Sequence, residues 1–165
     1  MKSLKVLATL CASAAVVVAV IALSPAVSTA QTVQGQVQAV EKVEIKELDT
    51  NTFDTELQNS TIPVLVDFTA AWCGPCQQLK PKLEALAQEF KGKVLFTKLE
   101  HTRNPSLVMK NGIRAFPTVK IYAPGGKEMS VSVGNVSLND LRKWIQEQVD
   151  ANDKAQSAQP LIQKP

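Results

Sequence analysis

The residues best suited to chemistry are two cysteines, Cys73 and Cys76, in the segment Trp72-Cys73-Gly74-Pro75-Cys76. An apolar run ends just before this segment and a helical pattern begins within it. Unpaired N–H groups and the helix dipole favour a thiolate at a helix start. We therefore expect Cys73 to attack a disulfide and form a mixed disulfide, which Cys76, one turn further on, would resolve. Gly74 and Pro75 keep the turn tight, because proline at a first helical position loses no needed donor.

The same cysteine spacing also occurs in zinc sites, which need two more ligands. The third cysteine of the chain is Cys11, inside an N-terminal apolar run, and its single histidine is His101. A second ligand pair is therefore missing, and the pattern favours redox chemistry over a metal. We predict no metal and no cofactor, the redox group being the Cys73–Cys76 disulfide itself. His101 is predicted to be an isolated loop residue without a catalytic role.

The N-terminal thirty residues have the features of an export signal. Lys2 and Lys5 precede an apolar run over residues 7–23, and Ser28-Thr29-Ala30 is a small-residue cleavage site. We predict a signal peptide over residues 1–30, cleaved near Ala30, with an uncleaved membrane anchor over residues 7–23 as the alternative. Either form places the domain in the periplasm or, as an alternative, the thylakoid lumen. Disulfides form and persist in such exported compartments.

Length and charge limit the remaining possibilities. A chain of 165 residues can form one domain with a sizeable core. Its 18 basic and 15 acidic residues are nearly balanced, and two of the basic ones lie in the leader, so nothing favours nucleic-acid binding. We predict a linker over residues 31–42, a domain over residues 43–150 and a disordered tail over residues 151–165. We expect a monomer that meets the membrane only through its N-terminal segment.

Strand and helix patterns alternate around the dithiol. Strands are predicted over residues 43–48, 62–69, 94–99, 118–123 and 129–133. Helices are predicted after Asn51 or Thr52, over residues 73–90 and 106–110, and after Ser137, which opens a capping box. This order, ending in a strand hairpin, predicts an α/β fold with a mixed central sheet flanked by helices on both faces.

An ordered set of residues resembles the thioredoxin family from about residue 43 to residue 149. The matching residues are Asp67-Phe68, Trp72-Cys73-Gly74-Pro75-Cys76, Pro81, Lys98, Gly112-Ile113-Arg114, Phe116-Pro117-Thr118 and Gly134. The resemblance implies the thioredoxin fold and a thiol–disulfide oxidoreductase.

The resemblance also implies roles for residues outside the dithiol. Pro117 would follow a cis peptide bond and face the cysteines, where backbone pairs with an extended substrate. Asp67 would lie buried beneath Cys76 and accept its proton, with Lys98 as a possible charge partner. Substrate contacts are expected from residues around the reactive turn: Trp72, Gly74, Pro75, Phe116, Pro117 and Gly134.

Two positions depart from the usual family pattern. Many thioredoxins have a second tryptophan where this chain has Thr69, and an acidic loop where it has Glu100-His101-Thr102-Arg103. Both changes lie near the site or its flank, and they bear on recognition by cytosolic thioredoxin reductase.

We expect a protein-disulfide reductase that acts on exported proteins and receives electrons from a membrane thiol carrier. The Gly74-Pro75 pair is similar to that of the reducing members of the family. One alternative is an oxidant or isomerase for secreted proteins, although no helical insertion of the kind such oxidants carry fits between Phe90 and Thr118. Another alternative is a binding module, against which the intact dithiol argues.

Overall fold

The computed structural model describes residues 43–158, so the predicted leader, the predicted linker and residues 159–165 lie outside the described part. The first half contains β1 (Lys46–Leu48), α1 (Phe53–Asn59), β2 (Val64–Thr69) and α2 (Gly74–Glu89). The second half contains β3 (Leu95–Glu100), α3 (Pro105–Lys110), β4 (Thr118–Tyr122), β5 (Glu128–Val133) and α4 (Leu138–Ser157).

The five strands form one mixed sheet in the order β1-β3-β2-β4-β5. β3 runs parallel to both β1 and β2, whereas β4 runs antiparallel to β2 and β5. β2 is central and buried along nearly its whole length, as its apolar sequence predicts. Its carboxyl end leads directly into the dithiol turn.

Successive side chains of β2 enter cores on opposite faces of the sheet. Leu65 packs with α2 and α4 residues such as Leu83 and Ile145. Val64, Val66 and Phe68 pack in a second core with residues of α1 and α3. The predicted α/β architecture, with helices on both faces of a mixed sheet, is therefore confirmed.

Helix α2 carries the dithiol at its N-terminus. A continuous buried face holds this helix against the sheet. Leu79, Leu83 and Leu86 are fully or almost fully buried and recur at helical spacing. Pro81 lies inside the helix but on its exposed side. The chain leaves the helix through Gly92, whose φ of 78° is a conformation that residues with a Cβ rarely adopt. The packed leucines hold the start of α2 firmly against the sheet.

Helix α4 corrects one prediction. Ser137 caps it as expected, because its Oγ accepts a hydrogen bond from the N–H of Asp140 over 3.2 Å. The helix continues to Ser157, so the prediction of a disordered tail is wrong for residues 151–157. No glycine or proline follows Ser137 until Pro160, and Asn152 is still buried. Composition predicts disorder here, but no glycine or proline breaks the helix, and Ala151, Lys154 and Ala155 are good helix formers.

None of the helices within residues 43–158 is long and apolar enough to cross a membrane. The predicted anchor over residues 7–23 lies outside this range.

Candidate active site

The two cysteines are joined by a disulfide at the N-terminus of α2, with a sulfur–sulfur distance of 2.03 Å. Cys73 is the N-cap residue, and its Sγ accepts a hydrogen bond from the N–H of Cys76 over 3.2 Å. The N–H of Cys73 in turn donates to the carbonyl of Ala70 over 3.1 Å. After reduction, the same helix N–H would face a thiolate at Cys73, which favours that sulfur as the nucleophile.

Asp67 lies in β2, on the face of the sheet that α2 covers. Asp67 is 7% exposed, and its Oδ1 has no hydrogen-bond partner among the residues described. Burial raises the pKa of this carboxyl to about 7, although the charge of Lys98 opposes the rise. A carboxyl with a pKa near neutrality can both accept and release a proton under ordinary conditions.

Asp67 and Cys76 line the same cavity, which has a volume of about 590 Å³. Cys73 does not line it. Thr69 lies two residues beyond Asp67 on the same face of β2 and forms part of the wall. Exposed α2 residues, Gln77 and Lys80, also border the cavity. The predicted proton acceptor and the second cysteine thus border one cavity, which the first cysteine does not line.

Lys98 neighbours Asp67 in the register between β2 and β3, and it forms an ion pair with a residue that the sequence analysis did not single out. Its Nζ lies 3.2 Å from Oε2 of Glu47 in β1. Arg103 binds the other oxygen of the same carboxylate. The signal that could have identified Glu47 is the pairing of β1 with β3, which sequence order alone does not reveal.

Four residues near the disulfide are predicted to contact substrate: Trp72, Phe116, Pro117 and Gly134. We call them the substrate surface. The Phe116–Pro117 peptide bond is cis, as predicted. The N–H of Gly134 donates to the carbonyl of Pro117 over 2.8 Å, which ties these two positions together. Phe116 packs against the small cluster formed by Ala70, Cys73 and Cys76. Trp72 stands edge-on to Phe116, with ring centroids 5.7 Å apart. Because Trp72 is 71% exposed, its ring is available to a partner protein.

His101 is not the isolated loop residue that the sequence analysis predicted. Its ring centroid lies 5.2 Å from that of Phe116, and its N–H donates to the carbonyl of Thr69 over 2.9 Å. It therefore supports the substrate surface from the side of β3. Helix α3 separates His101 and Phe116 in the sequence, so no local pattern predicts their contact.

Glu100 ties the residues that lead into the dithiol turn to the loop that follows β3. Its carboxylate accepts hydrogen bonds from the N–H of Ala71, over 3.2 Å, and the N–H of Arg103, over 2.9 Å. Although desolvation works in the opposite direction, hydrogen bonds from Thr102, Arg103 and Ala71 hold the pKa of Glu100 below its ordinary value. This residue was noted in the sequence only as part of a departure from the family pattern.

Two sulfurs that form and break one bond, with a buried carboxyl beside the second of them, are the working parts of a disulfide oxidoreductase. Within residues 43–158, no three His, Cys, Asp or Glu side chains are grouped as a metal site. The fold and the dithiol turn together place the molecule in that class of protein.

Comparison with known proteins supplies the family. The family model described as Thioredoxin matches residues 44–147, and the chain belongs to the thioredoxin family. It is 36% identical to thioredoxin of Rickettsia felis over 99 residues, which cover 60% of this chain and 93% of the relative. It is 42% identical to thioredoxin of Chlorobaculum thiosulfatiphilum over 97 residues, which cover 59% and 89% of the two chains. Thioredoxins need no cofactor, because the redox-active disulfide is part of the protein.

Thioredoxin M4 of Arabidopsis thaliana, whose name marks it as chloroplastic, is 38% identical over 104 residues. These residues cover 63% of this chain and 53% of that relative.

Proposed function

We propose that this protein is a protein-disulfide reductase that acts on exported proteins. The observation that carries the proposal is the Cys73–Cys76 disulfide at the start of α2, with Asp67 and Cys76 lining one cavity and the exposed Trp72 next to the pair. Each part has a place in a two-step thiol–disulfide exchange.

In the first step the reduced enzyme attacks its substrate. The thiolate of Cys73, favoured by the helix N-terminus, forms a bond to one sulfur of the substrate disulfide. The other substrate sulfur leaves as a thiolate and takes a proton from solvent. The substrate segment rests on the substrate surface, where Trp72 offers a large exposed ring and Phe116 packs against the cluster that contains both cysteines.

In the second step the enzyme releases its product. Cys76 gives its proton to Asp67 and attacks Sγ of Cys73, so that the bond between Cys73 and the substrate breaks. The second substrate sulfur leaves as a thiolate and takes a proton from solvent. The substrate disulfide has then gained two electrons, and the enzyme has become the disulfide seen in the structure.

The exported location, the partners and the monomeric state belong to the proposal. The basic and apolar leader and the cleavage site at Ala30 support export to the periplasm, with the thylakoid lumen as the alternative. An exported domain is separated from cytosolic reductants, so a membrane thiol carrier would have to supply its electrons. Disulfide-containing exported proteins are then the substrates.

Insulin-disulfide reduction, with dithiothreitol as the electron source, tests the proposed activity. Wild-type protein is expected to turn over insulin, and Cys73→Ser is expected to abolish that turnover. Cys76→Ser should instead accumulate a mixed disulfide visible on a non-reducing gel. Full turnover by Cys73→Ser would overturn the assignment of the nucleophile, and a wild-type protein without turnover would overturn the proposed function.

A further inference from the structure

Three charged residues form one row across the sheet, on strands β1, β3 and β2. Glu47 is the partner of Lys98 in the register between β1 and β3, and Asp67 is the partner of Lys98 between β3 and β2. We name Glu47, Lys98 and Asp67 the charged row. Because directly paired residues project on the same side of a sheet, the lysine is held between two carboxyl groups.

Lys98 forms its ion pair with Glu47, on the β1 side of the charged row. Its ammonium lies 3.2 Å from the Glu47 carboxylate, which also holds Arg103. The side chains of Lys98 and Glu47 are 41% and 34% exposed, whereas Asp67 is buried and its Oδ1 has no partner among the described residues. The Lys98 charge is therefore neutralised on the β1 side, while Asp67 receives only part of its field.

We propose that Glu47 is a positioning residue, which holds the Lys98 ammonium toward β1 and thereby sets how readily Asp67 accepts the proton of Cys76. The inference rests on the proposed function, since that function gives Asp67 its role. Glu47 does not touch the reacting sulfurs. It acts through Lys98, because holding the ammonium toward β1 weakens the positive field at Asp67.

Other charged groups share the cavity with Asp67 and must stay constant in a test. Lys80 and Glu84 belong to α2, Glu100 belongs to β3, and Glu44 precedes β1. In the reduced protein the Cys76 thiol on α2 would titrate as well. The Asp67 titration is therefore made with the disulfide intact. A change at Glu47 then alters the charged row and also frees Arg103, which the same carboxylate binds.

Glu47→Gln removes one negative charge and releases Lys98. Both effects strengthen the positive field at Asp67, which stabilises its carboxylate. We expect the pH at which Asp67 is half-protonated to fall by about half a unit, an effect limited by solvent screening of the exposed pair. The measurement is a carboxyl-carbon NMR titration of the full chain, with the Asp67 signal assigned from its loss in Asp67→Asn.

Glu89→Gln is the matched control, because Glu89 forms an exposed ion pair with Arg142, between α2 and α4. It makes the same charge change and is expected to leave the Asp67 titration in place. Glu47→Asp, which keeps the charge, should restore most of the wild-type titration. Equal titrations for Glu47→Gln and wild type would overturn the inference.

Lys98→Met tests whether Glu47 acts through the lysine. In that background Glu47→Gln is expected to shift the Asp67 titration by less than half of its effect in the wild type. An undiminished shift would mean that Glu47 acts directly on Asp67 and would overturn the positioning role.

The rate at which the mixed disulfide is resolved supplies a second readout. In Glu47→Gln its pH dependence should move to lower pH together with the Asp67 titration, and a profile that does not move would contradict the inference. The NMR titration needs no turnover. A failure of the proposed function, seen as a wild-type protein that does not reduce insulin, therefore remains distinguishable from a failure of this inference.

Discussion

The N–H of Cys76 donates a hydrogen bond to Sγ of Cys73, so the helix itself binds the sulfur that we propose as the nucleophile. Cys76 stands in the second position and lines the cavity that contains Asp67. The two thiols therefore have different surroundings although three residues separate them. The sulfur of Cys73 accepts a hydrogen bond from a helix N–H, whereas Cys76 borders the cavity that the Asp67 carboxyl lines.

This difference predicts unequal thiol reactivity. In the reduced protein at pH 7, we expect Cys73 to react with iodoacetamide about tenfold faster than Cys76 or more, because only Cys73 caps the helix. Mass spectrometry of peptides after timed alkylation gives both rates. Two equally sluggish thiols would favour a binding module over an enzyme.

Asp67→Asn tests the buried carboxyl in both activity and stability. Removing a proton acceptor should slow resolution of the mixed disulfide at pH 7 by about 100-fold. Single-turnover release of a fluorescent thiol substrate measures this rate. A resolution rate equal to that of the wild type would contradict the role of Asp67.

The same variant should change how stability depends on pH. The pKa of Asp67 is raised from 3.8 to about 7, so between these values the folded protein binds more protons than the unfolded chain. The contribution of Asp67 therefore lowers stability as pH rises from about 4 to about 7, and it stays lowered above that.

Urea unfolding should accordingly show that Asp67→Asn gains more stability over the wild type at pH 8 than at pH 5, by about 3 kcal/mol. A gain of the same size at both pH values would contradict this expectation.

Thr69→Trp tests the cavity beside Asp67. Thr69 lines this space of about 590 Å³, and an indole there would displace solvent from the carboxyl. We expect the pKa of Asp67 to rise above its value of about 7, as measured by carboxyl-carbon NMR. Thr69→Val keeps the side-chain volume and is expected to leave the titration nearly unchanged. A downward shift in Thr69→Trp would contradict the account.

Trp72→Ala tests the substrate surface. The exposed ring contributes little to folding, so the variant should keep its melting temperature while kcat/KM for insulin falls by about tenfold. Met109→Ala is a matched control, because Met109 is 75% exposed and lies on α3 outside the substrate surface. Equal kinetics for both variants would show that exposure of an apolar side chain, rather than its place beside the dithiol, decides its effect.

Local patterns in the sequence predicted the parts of the molecule that short-range physics controls. The position of α2 follows from its capping cysteine and its leucine spacing, and the burial of β2 follows from its apolar run. The family resemblance supplied the cis bond before Pro117.

Long-range pairings were beyond that reasoning. Glu47 acquires a partner because β1 pairs with β3 rather than with β2, and His101 reaches Phe116 across a loop and a helix. The composition of residues 151–157 predicts disorder, but these residues continue α4 to Ser157. The charged row is consequently the least predictable part of the site.

The central claim is tested most directly by the reduction potential of the Cys73–Cys76 pair in the full chain, equilibrated with defined thiol buffers. The account predicts a value near about −270 mV, which makes the protein a reductant in an exported compartment. A value near about −120 mV would contradict it, because the pair would then be a strong oxidant and electrons would flow in the opposite direction.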